Sequence, residues 1–154
     1  MESLQERALH YYRQQQCRSG WFELVSVMLG GMINNAGERE SQAFLQQMGE
    51  NLAERHPLPP AATVADLESQ INQVLARFDW GVVDVQPTDS ALIIIHQALP
   101  VAESSLSLHQ WHLALSAVLT GLYARWLRQQ GGYDRVSLSV EATSDTSLRF
   151  CYRA

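Results

Sequence analysis

Residues 82–97 read VVDVQPTDSALIIIHQ, and the fold turns on this stretch. VVDVQ is β-branched and alternating, PTDS is rich in turn formers, and ALIIIHQ is a compact apolar run. The pattern predicts a β-hairpin with a buried second strand, ended by Pro100. Upstream, Val64, Leu67, Ile71, Val74, Leu75 and Phe78 recur at helical spacing. Thr63-x-x-Asp66 marks the start of that helix in the manner of a capping box, although Glu or Gln is the usual fourth residue. Asp79-Trp80-Gly81 marks its end, where glycine can take the left-handed conformation that closes helices.

Downstream, Glu103-Ser104-Ser105 reads as loop, and residues 106–130 carry the strongest periodic signal. Leu108, Trp111, Leu115, Val118, Leu119, Leu122, Trp126 and Leu127 trace one face of a long helix. Arg125, Arg128, Gln129 and Gln130 sit at its end, where cations complement the helix dipole. Gly131-Gly132 terminates it. A second hairpin closes the chain, VSLSVEA and SLRFCYR about a turn at Thr143-Ser144-Asp145. Val136, Leu138 and Val140 then meet Leu148, Phe150 and Tyr152 across the pair.

The N-terminal third is helical in pattern. Leu4, Ala8, Tyr11 and Tyr12 form a thin stripe on an otherwise polar segment, residues 3–16, which buries too little alone and needs something to dock on. Ser19-Gly20 breaks the pattern. Two helices follow, near 20–33 and 38–55. The first is apolar almost all round, which predicts burial, and Gly30-Gly31 and Asn34-Asn35 weaken its middle. Pro57, Pro59 and Pro60 stop the second and make a short stiff linker. Helices, hairpin, long helix, hairpin is the order of an α+β protein, with helices packed on one side of a small antiparallel sheet made of two hairpins. Residues 1–20 read as an N-terminal helical extension and residues 21–154 as one α+β domain.

A chain of 154 residues suits one domain that folds without a disulfide or a metal. Sixteen acidic against 11 basic residues give a net charge of −5, and no basic stripe is present to neutralise phosphates, which argues against nucleic acid as a partner. Cys17 and Cys151 lie far apart and read as two free buried thiols rather than one disulfide, which favours a reducing compartment. The opening MESLQERALHYYRQQQ lacks the basic-then-apolar pattern of a secretory signal. No apolar run approaches the roughly 20 residues of a membrane-spanning helix. The expected compartment is the cytoplasm.

Catalysis needs a nucleophile with its base, an acid–base pair, a metal or a cofactor. His109 and His112 lie three apart on a helix but lack a third ligand for zinc, and read as surface or half-buried histidines. Gly30-Gly31 lacks the Lys-Ser or Lys-Thr end of a phosphate loop. Asp79, Asp84 and Asp89 surround one hairpin and could in principle pair as glycosidase acids, yet a helix end accounts for Asp79 and a turn for Asp89. The chain reads as not an enzyme, with no cofactor and no metal. Of the four tryptophans, Trp111 and Trp126 share the stripe of the long helix and Trp80 ends another, so all three are expected in the core. Trp21, Tyr11 and Tyr12 belong to the less self-sufficient N-terminal part. They are the candidates for contact with a partner or a sugar, since flat aromatic faces suit pyranose rings.

Three segments in this order, QINQVLARFDWGVVDVQ, ALIIIHQALP and VLTGLYARWLRQQGG, resemble the family of bacterial cellulose synthase operon protein D. The marks are Trp80-Gly81, His96 with Pro100, and Gly121-Leu122-Tyr123 with Arg125-Trp126, read as structural core. The preceding NNAGERESQAFLQQMGENLA stretch is also similar, whereas residues 1–20 match poorly. The resemblance implies a ring-like homo-octamer built as a tetramer of dimers, without enzymatic activity. It implies support for ordered cellulose production beside the inner-membrane synthase. It also implies passages near the N-terminal segments for nascent β-1,4-glucan, and a proline-rich partner among the proteins of the same operon. The compartment it implies is the cytoplasmic side of the synthase, with the periplasm as the alternative. Two competing readings are a small-ligand sensor or binding module of similar α+β fold and a carbohydrate-active enzyme using Asp79 or Asp84.

Overall fold

The computed structural model describes residues 3–16, 19–100, 106–131 and 137–153. Cys17, Glu103-Ser104-Ser105, Gly132 and Val136, all named above, lie outside them. The helices are α1 Leu4–Gln16, α2 Ser19–Ala36, α3 Glu38–Arg55, α4 Val64–Phe78 and α5 Leu108–Gln129. The strands are β1 Val82–Pro87, β2 Ala91–Gln97, β3 Ser137–Ser144 and β4 Ser147–Arg153. The architecture is α+β, as the pattern predicts. Its four strands run in the order β1-β2-β4-β3, every neighbouring pair antiparallel. The two hairpins therefore join through β2 and β4, where Ile94 pairs with Phe150 and His96 with Leu148.

The core forms where the sheet meets α4 and α5. Ile71 and Leu75 of α4, Ile94 of β2, Leu122, Tyr123 and Trp126 of α5, and Leu148 and Phe150 of β4 are all completely buried in one cluster. Each helix end follows from its local sequence. Thr63 caps α4 by accepting from the Asp66 N–H at 3.1 Å. Ser107 and Gln110 form a reciprocal capping box on α5. The left-handed residue that closes α4 is Asp79 (φ 57°), not the glycine. Gly81 has positive φ as well, for a different reason. A Cβ there would sit 2.2 Å from the Gln97 carbonyl oxygen and 2.5 Å from that of Ala98, so the entry to β1 admits no side chain.

α5 is buried on more sides than a single stripe requires. Leu113, Ala114 and Ala117 are buried along with the predicted residues, and Ala114 and Ala117 pack on Leu45 of α3. Leu108, the first residue of the predicted stripe, is instead 44% exposed, because Ser107 caps the helix and Leu108 falls in its open first turn. α3 and α5 run alongside each other and touch backbone to backbone. A Cβ on Gly49 would lie 1.9 Å from the Val118 carbonyl oxygen, and one on Gly121 would lie 1.9 Å from that of Gln46. The end of α5 also anchors the proline linker. Trp126 Nε1–H donates to the His56 carbonyl at 2.9 Å, and the Gln130 side chain donates to Pro59 at 3.0 Å and accepts from the Ala61 N–H at 2.9 Å.

Three boundaries differ from the sequence expectation. Ser19-Gly20 opens α2 instead of breaking a helix. α2 runs on through Asn34-Asn35, where the Asn35 side chain donates to the Gly31 carbonyl at 2.6 Å, and ends before Gly37 (φ 86°). The second hairpin turns at Asp145-Thr146, one step later than expected, after a register irregularity between Ala142 and Ser144.

Candidate functional site

The residues marked by the family resemblance gather at one buried junction. His96 of β2 is fully buried. Its Nε2 lies 2.6 Å from the Trp80 carbonyl oxygen and its Nδ1 lies 2.5 Å from the Tyr123 hydroxyl. A carbonyl only accepts, so Nε2 carries the proton, and Nδ1 accepts from the Tyr123 O–H. Burial holds the imidazole down to about 4, against the opposing pull of the Trp80 carbonyl. Burial also pushes the Tyr123 hydroxyl well above its ordinary value. The pair is thus held neutral, with both ring nitrogens satisfied, and it ties the start of β1 to α5. Pro100 is buried beside it in sequence, and its carbonyl accepts from Trp111 Nε1–H at 2.7 Å. Gly121 is the close-packing point described above, Leu122 and Trp126 are fully buried, and Arg125 pairs with Glu54 of α3 at 3.3 Å.

The acids and histidines considered for chemistry are dispersed. Asp79 is a helix cap. Asp84 is exposed on β1, where it accepts from the Gln86 side chain at 2.7 Å, and Asp89 is exposed in the turn. His109 reaches Glu38 at 3.2 Å, and His112 reaches the Asp145 carbonyl at 2.8 Å. Among the described residues, no group of three His, Cys, Asp or Glu side chains is placed to hold a metal ion. Cys151 is a buried free thiol.

Two surface features stand out from this closed core. The first is an apolar groove of about 790 Å³ between α2, α3 and α5. Trp21, Phe22 and Val25 form one wall, Trp111 and Leu115 the floor, and Phe78 and Trp80 one end. Asn51, Arg55 and Asp79 supply the polar groups at its margin. Ring contacts knit the lining together, at 5.2 Å between Phe22 and Trp111 and 5.1 Å between Phe78 and Trp80. Trp80 is half-buried here, packed on the core but open to the groove.

The second feature is the outer side of the N-terminal helices. α2 buries Ile33 and packs Phe22 and Leu29 on the core, yet its opposite side exposes Trp21 at 72%, Leu24 at 49%, Val27 at 60% and Met28 at 61%. The all-round apolar pattern that predicts burial is only half satisfied within the chain. α1 carries a capping box of its own, with Ser3 and Glu6 bonded reciprocally at 2.7 and 3.1 Å. Residues 3–12 of α1 are all exposed, Tyr11 and Tyr12 among them, with their rings 5.9 Å apart edge to face. Sequence reasoning singled out Trp21, Tyr11 and Tyr12 but missed Leu24, Val27 and Met28. Their signal was the apolar surplus of α2 itself.

No described helix is long and apolar enough to cross a membrane. The profile of the family described as the D-type component of cellulose synthase matches residues 7–153. A cellulose synthase operon protein D of Komagataeibacter xylinus is 32% identical over 115 residues, 72% of this chain and 72% of the relative. The protein of that name from Komagataeibacter sucrofermentans gives the same figures of 32%, 115 residues and 72% of each chain. Another from Komagataeibacter xylinus is 35% identical over 92 residues, 58% of this chain and 57% of the relative. With a match running almost from end to end, the chain belongs to the cellulose synthase operon protein D family.

Proposed function

We propose that this chain is a non-catalytic accessory component of cellulose synthesis, a self-assembling scaffold that orders synthase complexes or their emerging β-1,4-glucan chains. The observation that carries the reading is the apolar outer side of α2. A helix apolar on every face belongs in an interior, and exposed patches of this kind mark association surfaces. Its neighbour α1 points the same way, because a 13-residue helix is marginal in water without a packing partner. Further copies of the chain supply that cover, in a closed ring of the homo-octameric kind, a tetramer of dimers. Residues 1–20 act as an arm, with Tyr11, Tyr12 and Trp21 available to glucan or to a proline-rich partner from the same operon. The assembly works on the cytoplasmic side of the inner-membrane synthase.

The test has a cellular arm and a molecular arm. Deleting the gene lowers cellulose yield or fibre order, while the purified synthase keeps its turnover. Normal crystalline cellulose from a clean deletion would contradict the reading. In the purified chain, Met28→Glu leaves the fold intact, since Met28 is 61% exposed, and lowers the native mass. A Met28→Glu variant that assembles like the wild type removes α2 from the interface.

The aromatic groove favours a second reading, a module that binds a small apolar ligand. A small molecule retained in native mass spectrometry, and lost on Trp21→Ala, would support it over the scaffold.

A further inference from the structure

The two edges of the sheet are treated differently. β1 is sealed by α4. The Asn72 side chain accepts from the Val83 N–H at 2.7 Å and donates to the Val83 carbonyl at 3.0 Å, and the Glu68 carboxylate accepts from the Val85 N–H at 2.8 Å. Pro87 then ends the strand. β3, the opposite edge, carries no such protection. Among the described residues, its backbone makes no hydrogen bond beyond its ladder with β4. Ser139, Val140, Glu141 and Ala142 are exposed, and Val140 is an edge apolar residue at 39%. The strand holds neither proline nor lysine, and the whole chain has no lysine. The register irregularity lies at its far end, between Ala142 and Ser144. A long, flat, unblocked edge is a template for another strand.

We infer that β3 of one copy pairs antiparallel with β3 of a second copy about a two-fold axis, so that two four-stranded sheets become one. The inference rests on the self-assembly reading and gives it a second interface, separate from α2. The sealed β1 edge selects this occupant. Pairing β3 with β1 of the next copy would run on into a filament, and the Asn72 and Glu68 side chains already fill those backbone positions. β3 on β3 is the pairing that remains open to identical copies, and it closes on itself. The charges allow it. With the axis at Val140, the two Val140 side chains cover each other, and Glu141 falls opposite Ser139 of the second copy while keeping Arg149 at 3.2 Å on its own β4. No like charges come face to face.

Val140→Lys in the full chain tests the pairing, because it sets two ammonium groups opposite each other at the axis. The expected result is a native mass half that of the wild-type assembly, with an unchanged far-ultraviolet circular dichroism spectrum. A folded Val140→Lys variant with the wild-type mass would overturn the inference. If that variant does not fold, amide exchange in the wild type decides. The outward amides of residues 138–142 should exchange roughly 100-fold more slowly than unpaired backbone, and exchange at the unpaired rate overturns the pairing. Assembly lost in Met28→Glu but kept in Val140→Lys rejects this interface alone, whereas a wild type of single-chain mass rejects the self-assembly reading with it.

Discussion

His96 and the glycine pair Gly49 and Gly121 show how much single side chains decide here. His96 is held neutral by burial, with its imidazole near 4 against about 6.5 in an unfolded chain. Above the unfolded value both states are neutral and the group contributes no pH dependence. As pH falls from about 6.5 toward 4 the unfolded chain takes up the proton and the native one does not. Stability therefore falls across that window, by roughly 3 kcal/mol in total. Urea unfolding at pH 7 and pH 5 measures it, and His96→Gln should flatten the dependence while lowering stability at pH 7. An unchanged slope in His96→Gln would show that other groups set it. Gly49→Ala or Gly121→Ala should each cost at least about 3 kcal/mol, because the new methyl would meet backbone that cannot swing aside. Loss of less than about 0.5 kcal/mol in equilibrium unfolding would contradict the close crossing of α3 and α5. His96 and Gly121 were visible in the sequence only as marks of a family. Their work was hidden, since the partners of His96 lie 16 and 27 residues away and the helix that crowds Gly121 is α3.

At the scale of elements, apolar spacing located α4, α5 and both hairpins, because burial sorts their residues at periods of 3.6 and 2. What spacing could not convey was the use of polar flanks. Asn72 and Glu68 read as ordinary solvent-facing residues of α4, yet they satisfy the open backbone of β1. Asn72→Ala should destabilise the protein by about 2 kcal/mol, leaving the Val83 N–H and carbonyl without partners, and should bare the β1 edge to aggregation. Thermal unfolding and light scattering report the two effects; a variant as stable and as clear as the wild type would deny the seal. α2 teaches the converse lesson. Its sequence called for burial, and the fold of one chain covers only the side bearing Phe22, Leu29 and Ile33. The groove beside it was not legible, since its lining comes from α2, α3, α5 and the end of α4, segments far apart in the chain.

For the whole molecule, the same features combine into one picture. The core is closed, its buried histidine is neutral and bonded, and the acids named as possible catalysts serve as caps, turns or surface groups. What the chain leaves open are the outer side of α2, the stripe of α1 and the β3 edge. All of these are surfaces for more protein or for a flat saccharide chain. The central claim is that the protein works by assembling with itself. The most direct test is the native mass of the purified full chain at micromolar concentration. The account predicts a closed multi-copy particle, with eight chains as the expected number; a single chain at that concentration would contradict it.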